Sequence, residues 1–299
     1  MTTSVQVRAV RRLAVLATGV LTLLGSTFVV SPAGSARPAD EHGHRHGRYL
    51  ALGDSVPFGY RPPEVTPPAD YLDAATFVGY PQVAARRLHT RLTNASCPGE
   101  TTASMVTAGA QSNGCENSLT SPVGYRTLFP LHTAYRGTQL AYAVRYLRHH
   151  RHTRLVSLTI GANDLLVCLQ TTADLCTGSD LVTTVARVER NVGHILGALR
   201  RAPYHHRLVV VTYYSPDYAD PAETRPVRAM DAALVRAAHA HHAVVADGFR
   251  AFAEAAKDVG GDSCVAGLLV ALPIGGCNVH PSPKGHRLLA RAVVRAAHR

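Results

Sequence analysis

The chain has 299 residues, of which 46% are hydrophobic and 17% charged, and a formal net charge of +11. That is enough for one large domain with a proper core, or at most two small ones. The positive balance would suit anionic lipid, a wall polymer or nucleic acid. However, arginine far outnumbers lysine (only Lys257 and Lys284), tryptophan is absent, and no basic stripe interleaved with aromatics appears, so nucleic acid is excluded as a partner.

Residues 1–36 read as a secretory signal peptide. Arg8, Arg11 and Arg12 precede an uncharged apolar run from Leu13 to Val30, and the small residues Gly34-Ser35-Ala36 follow. The small-residue exit and the lack of a second apolar span favour cleavage over an uncleaved anchor. Removing this segment takes away three arginines and no acid, leaving +8. Residues 37–47 are polar and aperiodic and read as a flexible linker, in which His42, His44 and His46 belong to a solvated tail.

From residue 48 to 299, strands and helices alternate. Strand-like runs are Tyr49–Gly53, Leu92–Ser96, Leu155–Ile160, Leu208–Tyr213 and Ala243–Ala246. Helical patterns cover Tyr80–Arg91, Gln139–His149, Leu181–Arg200, Pro226–His242 and Pro283–His298. Five short strands joined by amphipathic helices predict a five-stranded parallel sheet covered on both faces. This is a flavodoxin-like α/β/α sandwich. Three long Pro-, Gly- or Thr-rich stretches follow the first three strands: Arg61–Phe77, Ala108–Thr138 and Leu165–Ser179. Loops of that length are commonly functional, and all three are read as walls of a substrate cleft.

Six cysteines fall into three sequence-local pairs, predicting bridges Cys97–Cys115, Cys168–Cys176 and Cys264–Cys277. Each closed loop adds about 2–4 kcal/mol. No Cys-x-x-Cys spacing suggests zinc or redox chemistry, and no metal or organic cofactor is expected. The cysteines agree with an exported, extracellular protein.

Four short motifs sit at or near strand ends, where open α/β sheets place their ligands. They are Gly53-Asp54-Ser55, Gly99 in a Gly/Pro loop, Gly161-Ala162-Asn163-Asp164, and His280-Pro281 before the last helix. Ser55 needs a positioned base to become a nucleophile, and His280 lies where the chain can return to the top of the sheet. His286, the rival histidine, falls inside the helical pattern and is assigned a packing or surface role. Asp54 and Asp164 are expected to bond local backbone N–H groups and fix their loops.

Together these motifs resemble, in order, the four sequence blocks of the SGNH hydrolases, also called GDSL esterases and lipases. The resemblance implies Ser55 as nucleophile and His280 as base. It also implies an oxyanion hole formed by the Ser55 N–H, the Gly99 N–H and the Asn163 side-chain amide. The chain departs from the family at the triad acid, because the position three residues before His280 is Cys277. Three orienters of the imidazole remain: a backbone carbonyl, Asn278, or an acid from elsewhere such as Asp262. A dyad with a backbone carbonyl is preferred. The expected protein is a secreted, monomeric serine esterase or lipase acting on an ester or lipid substrate, with transient contact to anionic lipid or wall surfaces. A sugar O-acetyl esterase is the alternative within the enzyme class. A catalytically impaired surface-binding module of the same fold is the alternative outside it.

Overall fold

The computed structural model describes residues 47–299. The expected leader, and the linker apart from Gly47, lie outside the described residues. In chain order the elements are β1 (Arg48–Gly53), α1 (Ser55–Phe58), α2 (Tyr80–Arg87), β2 (Arg91–Asn94), α3 (Thr102–Val106), α4 (Tyr125–Leu128), α5 (Gln139–His149) and β3 (Thr153–Thr159). There follow α6 (Ala162–Thr171), α7 (Gly178–Arg201), β4 (Arg207–Val211), α8 (Pro221–Ala240), β5 (Val244–Ala246), α9 (Gly248–Ala256), β6 (Leu269–Ala271), β7 (Cys277–Pro281) and α10 (Pro283–Ala297).

The first five strands form one sheet in the order β2-β1-β3-β4-β5, with every pairing parallel. This is the flavodoxin-like order, whose strand sequence reverses direction at β1/β3. The central strands read RYLALG, TRLVSLT and RLVVV and are almost fully buried, as expected of strands covered on both faces. Helices α2, α9 and α10 pack together on one side, and α5, α7 and α8 on the other. The main core joins Leu50, Leu52, Val156, Leu158 and Val210 to Ile195, Leu196, Leu234, Leu289 and Val293.

Two sequence expectations are corrected. The stretch Leu165–Ser179 is mostly helix, because α6 runs to Thr171 before its chain turns. Its first half contains no glycine or proline, and Asp164 in the first turn suits the positive end of the helix dipole. Helix α8 starts at Pro221, not Pro226. Asp220 caps the Ala222 N–H at 2.8 Å and Pro221 occupies the first turn, where its missing N–H costs nothing, so Pro226 lies inside the helix. The antiparallel β6–β7 hairpin and α9 had no counterpart in the expected elements. The hairpin is bridged to the preceding turn by Cys264–Cys277, and the other two disulfides are Cys97–Cys115 and Cys168–Cys176. No helix of the described residues is long and apolar enough to cross a membrane.

One buried polar contact joins the chain just beyond β4 to α8. The Tyr213 N–H donates to Asp231 Oδ1 at 2.9 Å, while Asp231 Oδ2 has no hydrogen-bond partner among the described residues. Burial pushes the Asp231 carboxyl up to about 8. In the unfolded chain this group ionises from about pH 4 upward, whereas in the fold it resists ionisation until about pH 8. Its contribution to stability is therefore complete below pH 4 and lost as pH rises toward 8. Asp231→Asn should accordingly stabilise the fold more at pH 8 than at pH 5, by at least about 1 kcal/mol, as read from urea unfolding at the two values. A gain independent of pH would contradict this assignment.

Candidate functional site

The site begins where β1 stops. Gly53 has φ +128°, and a Cβ built there would lie 1.8 Å from the Thr159 carbonyl oxygen on β3, so only glycine fits. Gln139, at the start of α5, clamps the same residue. Its Oε1 accepts from the Gly53 N–H at 2.6 Å and its Nε2 donates to the Gly53 carbonyl at 2.9 Å. The next N–H, of Asp54, donates to Thr159 O at 3.1 Å.

Asp54 caps α1 by accepting from the Val56 N–H at 3.0 Å, which agrees with its expected local role. It also accepts a short hydrogen bond from the Tyr213 hydroxyl. Burial pushes its carboxyl up to about 7 against these two bonds. Ser55 is then the first residue of α1, half-buried, with its N–H in the helix's first turn where no intrahelical acceptor exists.

His280 comes to Ser55 from 225 residues away, on β7. Its Nε2 lies 2.9 Å from Ser55 Oγ, and its Nδ1 lies 2.5 Å from Asn278 Oδ1. Asn278 Oδ1 also accepts from the His280 backbone N–H at 3.2 Å. An amide oxygen accepts only, so Nδ1 carries the proton and Nε2 presents its lone pair to the serine hydroxyl.

The partner of the imidazole is thus the Asn278 side chain, which corrects the preferred expectation of a backbone carbonyl. In the extended strand, side chains two residues apart share a face, so positions 278 and 280 meet. Cys277 is committed to its disulfide with Cys264. Asp262 instead accepts from the Cys264 and Val265 N–H groups at 2.7 and 3.0 Å.

Tyr60 packs against the imidazole with ring centroids 4.9 Å apart. Burial lowers the His280 pKa to about 4, so the ring is neutral at physiological pH. His286 is buried in α10, and neither of its ring nitrogens has a hydrogen-bond partner among the described residues.

The third side of the site is stitched from two loops and two helix ends. Gly99 has φ +81°, and a Cβ there would meet Asn113 O at 2.4 Å. Its carbonyl accepts from the Asn113 N–H at 2.7 Å, and Cys97–Cys115 ties the two loops covalently. Asn163 donates one amide N–H to Glu100 O at 3.0 Å and accepts at Oδ1 from Asn113 Nδ2 at 3.0 Å. That leaves its second N–H to face the cleft.

Asp164 reaches beyond its own loop. Its carboxylate accepts from the Thr102 N–H at 2.8 Å and the Thr102 hydroxyl at 2.7 Å, which ties α6 to α3. The Glu100 carboxyl is pushed up to about 7 by burial and receives bonds from Ser104 and Gln139. Glu100 also lies near the sulfurs of Cys97 and Cys115, but these are bonded to each other and offer no thiolate to a metal.

Ser55, Gly99, Asn163 and His280 all line one cavity of about 390 Å³. Its other walls are largely apolar, including Val56, Leu165, Leu166, Val227 and Met230, with Tyr60, Tyr125, Tyr213 and Tyr214. No arginine or lysine lines it, despite the basic chain, and Glu223 stands at its edge as an exposed acid. Of the three stretches expected as walls, Ala108–Thr138 contributes Asn113, Gly114 and Tyr125, and Leu165–Ser179 contributes Leu165 and Leu166. Arg61–Phe77 supplies no lining residue. Its Tyr71 and Phe77 pack against Tyr60 and Phe58 behind the wall.

Gln139, Asn113, Glu100, Tyr213 and Tyr214 had no place in the expected site. Asn113, in Ser-Asn-Gly, and Gln139, at a helix start, carry only turn and cap signals. Their partners lie 50 and 86 residues away in sequence.

A family model described as GDSL-like Lipase/Acylhydrolase matches residues 51–288. No curated protein matches the sequence. Among solved structures, the chain is similar to LAE5, an alpha/beta hydrolase enzyme from the metagenome of Lake Arreo (18% identity, 84% of this chain and 95% of that one covered, TM-score 0.51). It is also similar to a catalytic mutant of Axe2, an acetylxylan esterase from Geobacillus stearothermophilus (16%, 84% and 94%, 0.51). A third is the lipase Lip_vut3 from goat rumen metagenome (14%, 83% and 96%, 0.50). At these identities the structural likeness concerns the fold.

Proposed function

The chain belongs to the GDSL-like lipase/acylhydrolase family and is a carboxylic ester hydrolase, and we propose that it works through a Ser55–His280–Asn278 line acting on lipid-like acyl esters. The observation that carries the proposal is the continuous pair of contacts from Ser55 Oγ through the imidazole to Asn278 Oδ1.

His280 Nε2 takes the hydroxyl proton as Ser55 Oγ bonds to the acyl carbon. The carbonyl oxygen, now negative, is held by the Ser55 N–H, the Gly99 N–H and the free N–H of Asn163. The tetrahedral intermediate collapses as His280 delivers its proton to the leaving alcohol oxygen, leaving the acyl group on Ser55. Water then enters, gives a proton to His280 and attacks the acyl carbon; as the C–Oγ bond breaks, His280 returns that proton to Ser55 Oγ, and the carboxylic acid is released. Raised pKa values at Asp54 and Glu100 keep negative charge low behind the oxyanion. The alternative of an impaired binding module loses its main argument, since Asn278 orients the base where the family acid is missing.

The apolar cavity wall supports an acyl chain lying along Leu165, Leu166, Val227 and Met230. The absence of Arg and Lys from that wall disfavours selection of an anionic acid portion. The three disulfides support a secreted protein acting outside the cell.

Ser55→Ala should lower kcat on p-nitrophenyl esters by about 10³-fold or more, while the wild type should prefer decanoate to acetate. Full activity of Ser55→Ala would overturn the nucleophile, and a preference for acetate would overturn the lipid reading.

Asn278 can orient the imidazole but cannot neutralise its charged form. Asn278→Asp places a carboxylate beside Nδ1, which favours imidazolium and raises the His280 pKa by about 1–3 units. The base must be neutral, so the acid limb of the kcat/KM profile should move to higher pH by that amount. An unmoved limb would show that Asn278 does not face the base.

A further inference from the structure

We propose that the cleft between α9 and α10 is a second binding site, which holds a linear phosphodiester chain such as a polyol phosphate. The cleft encloses about 600 Å³ and shares no lining residue with the Ser55 cavity. Arg250 of α9 and Arg291, Arg295 and Arg299 from α10 and the residues after it all line it, and all four are exposed. None has an ion-pair partner among the described residues. Two acids share the cleft. Asp247 is engaged in capping the Arg250 N–H at 2.8 Å, and Glu254 is bound by Lys257 at 2.5 Å and feels Arg250 more weakly. The floor between the arginines is Ala251, Ala255, Leu288, Ala292 and Ala296.

Three features select the ligand. Arg291 and Arg295 lie four residues and about 6 Å apart along the axis of α10, and Arg299 follows beyond its end. Like charges at that spacing repel one another, and an anion lying across them removes the repulsion. A repeating phosphate can meet one guanidinium after another, each through paired N–H donors. The surface is concave, which admits a chain and disfavours the flat face of a bilayer. The cleft has no aromatic side chain, so it lacks the stacking platform that single-stranded nucleic acid uses. Arg287 continues the spacing on α10 outside the cleft.

The test is fluorescence anisotropy of the full chain with short, end-labelled poly(glycerol phosphate) across a salt series. The wild type should bind, and Arg291→Gln/Arg295→Gln should bind at least about tenfold more weakly. Its slope of log affinity against log salt should also fall by about 1.4, or 0.7 for each lost phosphate contact. Arg291→Lys/Arg295→Lys should restore much of the affinity. Hydrolysis of p-nitrophenyl butyrate and Tm should be the same in all three proteins, which separates this site from the catalytic one and controls for folding. Unchanged binding by the Gln pair would overturn the proposal. So would tighter binding of an oligothymidylate of equal length, capture of phosphatidylglycerol vesicles in preference to the polymer, or equal competition by inorganic phosphate.

Discussion

Ser55 and His280 lie 225 residues apart, and two consecutive tyrosines beyond the end of β4 bear on both of their positions. Tyr213 donates its hydroxyl to Asp54, which caps the turn carrying Ser55. Tyr214 donates to the Val279 carbonyl at 2.7 Å, in the strand that carries His280. Adjacent residues in extended chain point to opposite faces, so one short segment braces two elements that never touch it in sequence. Tyr214 also stacks on Phe252 of α9 with centroids 4.2 Å apart, which couples the hairpin to the packed core. The 2.9 Å Oγ–Nε2 separation depends on this brace and on the Gly53–Thr159 approach.

The polar network around the site is unusual in its charge state. Asp54 and Glu100 are buried, and burial pushes both carboxyls up to about 7. Each is held by hydroxyl or amide donors. Negative charge there would oppose an oxyanion, so partial neutrality at pH 7 favours ester chemistry. His280 is likewise kept neutral by burial, ready to accept a proton. With Asn278 in place of an acid, the base gains orientation and a fixed tautomer but no compensating charge.

Much of the fold was legible because the signals are local. Short strand-like runs mark all five sheet strands, and the helical pattern over Gln139–His149 coincides with α5. In α6 a threonine-rich tail masks the apolar run before it, and at α8 the start signal is only two residues long, Asp220-Pro221. The strand-end motifs of the site were visible as residue types in order. What was not visible were contacts between distant turns: Gln139 on Gly53, Asn113 on Asn163, Thr102 on Asp164. Such pairs leave no periodicity, and a lone asparagine or glutamine in a loop carries no sign of its partner. The Asn278–His280 contact was within reach, since alternation along a strand places i and i+2 together, but the hairpin that makes that stretch a strand was not foreseen.

The central claim is that Ser55 is activated by His280 in the geometry described. Its most direct measurement is fluorophosphonate labelling of the purified protein followed by peptide mapping. The account predicts one adduct, on Ser55, formed rapidly in the wild type and lost in His280→Ala. An adduct on another residue, or labelling of Ser55 at the same rate without His280, would contradict it.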